Sequence, residues 1–439
     1  MRLTLAIIFM FFSCYSLSLT QDFKLKNGLQ IVVREDHRAP VAIVMVWYNI
    51  GSADEVGGQT GIAHALEHMM FKGTSKYPAG MFTKILAMIG GELNAFTDYD
   101  YTAYYDNVET AQLATIFKLE ADRMQNLLLS DQEFAKEINV VKEERRLRTD
   151  DVPAELTLER YFAAAHLAMP YQHPVIGWMS DLEQMRVHDL QEWYQRFYAP
   201  NNATLVVVGD VTSTAIKQLA QQYFSKIRKQ THYKRNLQSE PPSLGKKTVH
   251  VAVTAKIPTF IFGYKVPSIN TTEKIWEPYT LELISCILGA DEVGRFAKNL
   301  IRGSQIANNI NINYNLYSRF ETQFIFVAIP SKTTTIAKLK SGMLKELKRL
   351  QEEPLTNAEL EYAKNQLIAQ KTFAKDSIFD QAIEVGLLET LGVGWQTSEK
   401  YMERISAITP QQIQEVAQRY FQEKAMTEAI QQQLPLSSR

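Results

Sequence analysis

A mixed fold of strands and helices in two similar halves is what this sequence predicts, and three observations predict it. Apolar runs with strand character alternate with amphipathic helical stretches along the whole chain. The second half repeats the first in outline. ITPQQIQEVAQRYFQEKAM near its end echoes RVHDLQEWYQRFYAPNNAT, which implies one internal duplication of about 210 residues. Between the halves, residues 228–247 (RKQTHYKRNLQSEPPSLGKK) are polar, basic and proline-bearing, the composition of a solvated connector. At 439 residues the chain is too long for one ordinary core. The expected organisation is a signal peptide over 1–20, a first domain over 21–227, a linker over 228–247 and a second domain over 248–439.

Each element has its own signal. LQIVVRED reads as a strand and VAIVMVWYNIG as a long buried one, separated by a turn at His37 to Pro40. A helical segment containing HALEH follows, then another from about Gly80 to Ile89. GGELNAFTDYDYTAYYDNV alternates and carries β-formers, which suggests two strands and a turn. Residues 110–148 have a helical pattern, strongly amphipathic over ADRMQNLLLSDQEFAKEINVVKEERRLR. More helix follows the loop at DDVP and the YQHPVIGW loop, then NNATLVVVGDV gives a strand and IKQLAQQYFSKI a closing helix. The second half is expected to have strands at 249–253 and 260–266, a helix over about 277–288, strands within INYNLYSRFETQFIFVAIP, and then long helices.

Composition narrows the function. The chain is 46% hydrophobic and 22% charged with net charge −1, which gives no reason to expect nucleic acid as a partner. No segment after the N-terminus is long and apolar enough to span a bilayer. The opening MRLTLAIIFMFFSCYSLSLTQ has Arg2, an apolar stretch and small polar residues, the layout of a secretory signal with cleavage near Ser18 or Thr20. Periplasmic or secreted location is therefore expected. Cys14 is a weak lipoprotein-type acceptor, and processing leaves Cys286, in the apolar run LELISCILG, as a single buried thiol.

The chemistry lies in GIAHALEHMMFKG. His64 and His68 are one helical turn apart and present their imidazoles on one face, a spacing that suits two ligands of one tetrahedral zinc ion. Glu67, beside that face, suits a general base that takes a proton from a water polarised by the metal. A third ligand is required, and the amphipathic stretch ending in EINVVKEERR offers Glu137, Glu143 and Glu144. The residues alone rank Glu144 or Glu143 as the ligand and Glu137 as an outer helper. His166 and His173 read as structural residues of a helix and a loop.

These motifs resemble the inverted-zinc-motif peptidases of the pitrilysin, insulysin and mitochondrial processing peptidase family. In that family a third ligand follows the second histidine at the spacing of Glu144, 76 positions after His68, and a further glutamate seven earlier matches Glu137. NGLQIVV, GSADE, EHMMFKGT, GGELNAFTDYDYTAYY and YQHPVIG extend the likeness from about residue 22 to at least 330. The resemblance implies an α+β fold of two homologous domains, each an antiparallel sheet packed with helices, and one Zn2+ per chain. It implies His64, His68 and Glu144 as ligands, with Glu67 and Glu137 as the catalytic acids. It also implies peptide substrates that add as a strand beside Gly91 to Thr97, with Asn94 and Ala95 nearest the metal. The expected activity is zinc metalloendopeptidase action on peptides or small unfolded proteins. A non-catalytic peptide-binding subunit of a heterodimer is the alternative.

One departure from the family stands out. Its second domain usually carries an arginine and a tyrosine that hold the substrate carbonyl, and here the corresponding text is NLIRGSQIANNINI. Arg302 matches the arginine, but the tyrosine falls at Asn308 or Asn309, with Tyr314 and Tyr317 nearby and out of register. A homologous partner subunit that supplies the pair is therefore expected, with a homodimer as the other arrangement.

Overall fold

The structure, a computed structural model, describes residues 20–433 apart from 232, 236–237 and 290–292. The expected signal peptide and Cys14 thus lie outside the described residues, except that Thr20 opens the first strand. The first half runs β1 (Thr20–Lys24), β2 (Gln30–Glu35), β3 (Val41–Tyr48), α1 (Ile62–Met69), α2 (Met81–Met88), β4 (Glu92–Thr97), β5 (Thr102–Glu109), α3 (Leu113–Asn126), α4 (Asp131–Arg145), α5 (Pro153–Ala165), α6 (Met179–Gln184), α7 (Val187–Phe197), β6 (Ala203–Gly209) and α8 (Ser213–Phe224). The second runs β7 (Lys247–Val253), β8 (Phe260–Val266), α9 (Trp276–Leu288), β9 (Ala307–Asn313), β10 (Thr322–Pro330), α10 (Ile336–Glu352), α11 (Asn357–Ala374), α12 (Ile378–Thr390), α13 (Tyr401–Ser406), α14 (Pro410–Tyr420) and β11 (Thr427–Gln433).

The two sheets have one plan. The first is ordered β1-β2-β6-β3-β5-β4 and the second β7-β11-β8-β10-β9. Without β1, each strand of the first sheet has a counterpart at the same place in the second, so β9 corresponds to β4. Each sheet is antiparallel apart from one pair, β2 with β6 and β7 with β11, in which the last strand of the half runs parallel to its neighbour. This is an α+β fold of two similar halves.

One face of each sheet packs on its own helices. In the first half Val44, Val46, Leu205 and Val207 meet Leu66, Met69, Phe117 and Phe224 in a continuous apolar core. The other face is covered by the opposite half. Ala382 and Val385 of α12 pack on Val32, Ile43, Trp47 and Val206 of the first sheet. Reciprocally, Tyr161 and Ala165 of α5 pack on Ile261, Ile325 and Ala429 of the second. This exchange explains why the long strands are buried on both faces: all but the first residue of VAIVMVWY is buried.

Several sequence expectations change. The helical stretch over residues 110–148 is broken between α3 and α4, where Leu127 is extended and Ser130 caps α4 by accepting from the Glu133 amide. β9 begins at Ala307, earlier than expected, and residues 314–321 form a loop. Strands β1 and β11 form where the sequence pattern predicts none. Nor is the linker merely solvated. Arg235 pairs with Asp54 at 2.5 Å, and the Glu240 carboxylate accepts the amides of Leu167, Ala168 and Met169 at 2.7, 3.0 and 3.0 Å. Asp54 also takes Arg319 Nη1 of the second half at 3.0 Å, and the Arg319 amide donates to Asp100 Oδ2 at 2.9 Å. Cys286 is half-buried rather than fully enclosed.

Candidate metal centre

Helix α1 presents the two histidines, and its start is fixed by three groups. Gly61 caps it at φ +87°, a left-handed conformation that favours glycine, and a Cβ there would sit 2.6 Å from the Ile176 carbonyl oxygen. The buried Glu55 carboxylate then accepts the Gly61 and Ala63 amides at 2.8 and 2.9 Å, satisfying donors that a helix start leaves open. Thus the GSADE segment and the YQHPVIG loop together aim α1.

Helix α4 lies across α1 and supplies the acids. Glu144 Oε2 is 3.3 Å from His68 Nε2 and 3.7 Å from His64 Nε2. Donors about 2.0–2.1 Å from a tetrahedral zinc stand about 3.4 Å apart, so these separations fit one ion. All three ligating atoms lie within 4.8 Å of one another, and no other group of three such residues is found among the described residues. His64 Nδ1 is buried without a hydrogen-bond partner among the described residues. Two imidazoles and one carboxylate form a donor set suited to zinc.

The structure separates the remaining acids. Glu143 turns outward, 59% exposed in its side chain, and pairs with Arg146 at 3.0 Å. Glu137 is grouped with Glu67 as catalytic in the sequence reading, but it does not line the cleft over the histidines. Its Oε2 is 3.5 Å from His68 Nδ1 and its Oε1 is 2.6 Å from Lys72 Nζ, so it orients the imidazole. Glu67 Oε2 accepts a 2.5 Å hydrogen bond from Thr97 Oγ1 at the end of β4.

Burial raises the Glu67 pKa from its ordinary value, against the Thr97 bond. Burial lowers His64 to about 4. For His68 burial opposes the charge, yet the surrounding carboxylates, Glu144 foremost, raise its pKa. The hydrogen bond with His68 holds Glu144 low, burial opposing.

A cleft of about 800 Å3 opens over this group. Asn94, Ala95, Phe96 and Thr97 of β4 form one wall, and Val140, Leu147 and Arg148 form part of the other. β4 is the edge of its sheet, so one side of its backbone is open to a further strand. The Ala95 amide donates to Asn94 Oδ1 at 2.8 Å.

The second half contributes no lining residue among those described. Arg302 sits exposed in the π-turn Ala297–Gly303 before β9 and is not among the residues that line the cleft. Tyr314 donates to the Pro267 carbonyl at 2.8 Å, and the Tyr317 hydroxyl is buried without a partner among the described residues. His166 caps α5 and His173 Nδ1 receives the Trp178 indole N–H at 3.3 Å, and neither lines the cleft. Sequence reasoning missed Thr97, Lys72 and Arg148. Thr97 lies in GGELNAFTDYDYTAYY and Lys72 in EHMMFKGT, and Arg148 lies one turn after Glu144.

A zinc protease named PqqE from Helicobacter pylori is 32% identical to this chain over 348 residues, covering 78% of this chain and 77% of that protein. The chain belongs to peptidase family M16. The M16 profile described as "Insulinase (Peptidase family M16)" matches residues 30–176, which hold the histidines and Glu144. The profile described as "Peptidase M16 inactive domain" matches residues 185–367, mostly in the half without the motif. A crystal structure of a protease from Helicobacter pylori superposes with TM-score 0.90 at 29% identity, covering 95% of this chain and 100% of that one. A probable mitochondrial-processing peptidase subunit beta from Arabidopsis thaliana is 24% identical, covering 92% of this chain and 77% of that protein. Among the described residues of this M16 chain, no helix is long and apolar enough to cross a membrane.

Proposed function

We propose that this chain is an exported zinc metalloendopeptidase that hydrolyses peptides or small unfolded proteins. The observation that carries the reading is the meeting of His64, His68 and Glu144 beneath an open strand edge, with Glu67 fastened to that strand through Thr97. His64 and His68 through Nε2, and Glu144 through Oε2, would hold the ion. Zinc bound there supplies a Lewis acid that polarises the scissile carbonyl and acidifies the attacking water.

The chain's own residues do the rest. Asn94 and Ala95 line the cleft, and the open edge of β4 aligns an extended peptide there. Glu67, with Oε2 held by Thr97, has Oε1 for the proton of the attacking water, which it then returns to the leaving amine nitrogen. A carboxylate whose pKa is raised by burial is a better base for that transfer. Glu137 holds the His68 ring through Nδ1.

The arginine and tyrosine that the resemblance leads one to seek in the second half do not line the cleft, so we infer that a homologous partner subunit brings them, with a homodimer as the other arrangement. Export rests on the apolar opening of the sequence. Residues 21–227 and 248–439 are read as zinc-bearing and zinc-free domains joined by 228–247.

The test compares metal content and cleavage of a quenched peptide for the mature chain and Glu67→Gln. About one zinc per chain in both proteins, with cleavage reduced about 10²-fold or more in the variant, is the expected result. A variant that binds zinc and cleaves as well as wild type removes Glu67 as the base. Absence of zinc in both overturns the reading.

A further inference from the structure

The Glu144 carboxylate is shared between two kinds of partner. Oε2 faces the histidines, while Oε1 takes Arg148 Nη1 at 2.7 Å. Arg148 lies in the π-turn Arg146–Asp150 that closes α4, its side chain 76% exposed where that of Glu144 is 17%. It lines the cleft and is the only lysine or arginine among the described residues that do so. A guanidinium has five N–H donors, and the ion pair with Oε1 engages only its Nη1 end, leaving the rest of the exposed fork at the cleft surface.

The charge balance there favours an anion. Glu143, the other acid of that wall, is offset by Arg146. With a divalent ion on the histidines and Glu144, the charges of the ion, Glu144, Glu67 and Arg148 sum to a positive excess beside a strand-binding edge. Val140 and Leu147, 49% and 62% exposed, leave an apolar rim on the same wall, so a substrate group that reaches Arg148 passes little competing polarity.

We propose that Arg148 determines substrate specificity by binding a carboxylate of a peptide lying along β4, while its ion pair with Oε1 keeps Glu144 in its ligating orientation. The carboxylate is that of an aspartate or glutamate side chain close to the scissile bond, or of the peptide's own C-terminus. This rests on the peptidase reading above. A charge-assisted hydrogen bond that is partly exposed to solvent gives a preference of about 10-fold.

The experiment uses the zinc-loaded full chain carrying Glu67→Gln, so that peptides bind without being consumed, with Arg148 intact or changed to Gln or Lys. Fluorescence anisotropy measures affinity for labelled peptides in which a single Glu is moved along the sequence, each beside its Gln counterpart, and for C-terminal acid beside amide. Competition with a chelator measures zinc affinity separately. The expected result is a Glu-over-Gln or acid-over-amide preference of about 10-fold that Arg148→Gln abolishes and Arg148→Lys partly keeps. The arm that shows the preference identifies the source of the carboxylate.

Equal affinity for charged and neutral peptides with Arg148 intact overturns the proposal, and a loss of zinc affinity in Arg148→Gln would then leave Glu144 as its sole partner. If the chain with Glu67 intact cleaves peptides regardless of their charge, the peptidase reading stands and this inference falls. If it holds no zinc and binds none of them, both fall; if it holds zinc and binds none of them, this inference alone falls.

Discussion

Gly386→Ala tests whether the second half props up the wall of the cleft. Gly386 lies on α12 against the outer face of the first sheet, where an added Cβ would overlap the Trp47 indole. On an exposed helix this substitution stabilises by about 1 kcal/mol, because alanine loses less backbone freedom than glycine. Here the ring has nowhere to go. Trp47 is 1% exposed and wedged edge-on between Phe96 at 5.3 Å and Tyr101 at 5.1 Å. Overpacking costs about 1–3 kcal/mol and here falls at the upper end, so after the propensity gain the net loss is about 2 kcal/mol. For domains of this size that lowers Tm by about 4–8 °C.

Far-UV circular dichroism during a thermal ramp measures the shift. Phe96 lines the metal cleft, so KM for a quenched peptide should rise in the same variant. Trp47→Phe shrinks the ring, and in combination with Gly386→Ala the losses should add to less than their sum. A Gly386→Ala protein as stable as wild type, or more so, would mean that α12 does not seat on this sheet, and the argument would fail.

Other outcomes follow from the same geometry. Glu144→Gln should weaken zinc binding at least 10-fold by chelator competition, while Glu143→Gln should leave it unchanged, because only Glu144 faces the histidines. Arg319→Met removes the partner of Asp54 and Asp100, and urea unfolding should show a loss of about 2–4 kcal/mol. Arg235 still pairs with Asp54, which keeps that loss below a complete break. Burial lowers the His166 pKa to about 4 from an ordinary 6.5, so folding favours its neutral form. Its stabilising effect is complete above about pH 6.5 and is lost as pH falls towards 4, by up to about 3 kcal/mol. His166→Phe should flatten that part of the stability curve, and an unchanged curve would refute the assignment.

Much of the site is written locally. HALEH places two imidazoles one turn apart, and that follows from helix geometry wherever the helix goes. The choice between Glu143 and Glu144 is different. Both are polar positions near the end of one helix, and only the way α4 lies across α1 turns one to the histidines and the other to Arg146. The family spacing named Glu144, but the helix pattern by itself left both open. Arg302 shows the reverse case, a residue matched by motif that does not line the cleft of the folded chain.

The sequence by itself determined the strands with continuous apolar runs, the amphipathic helices and the duplication, because period and burial of apolar groups are properties of neighbouring residues. It could not determine β11. TEAIQQQ has no apolar pattern, yet it lies inside the second sheet. Its Glu428 is paired with Lys246 and Lys340, and Gln431 accepts the Thr259 amide, from segments more than 80 residues away. The exchange of α5 and α12 between halves, and the joint of Arg319, Asp54 and Arg235, were likewise decided only by tertiary structure. The physical reason is the same in each case. A buried polar group or a second apolar face is stable only against a partner, and the chain brings that partner from elsewhere when it folds.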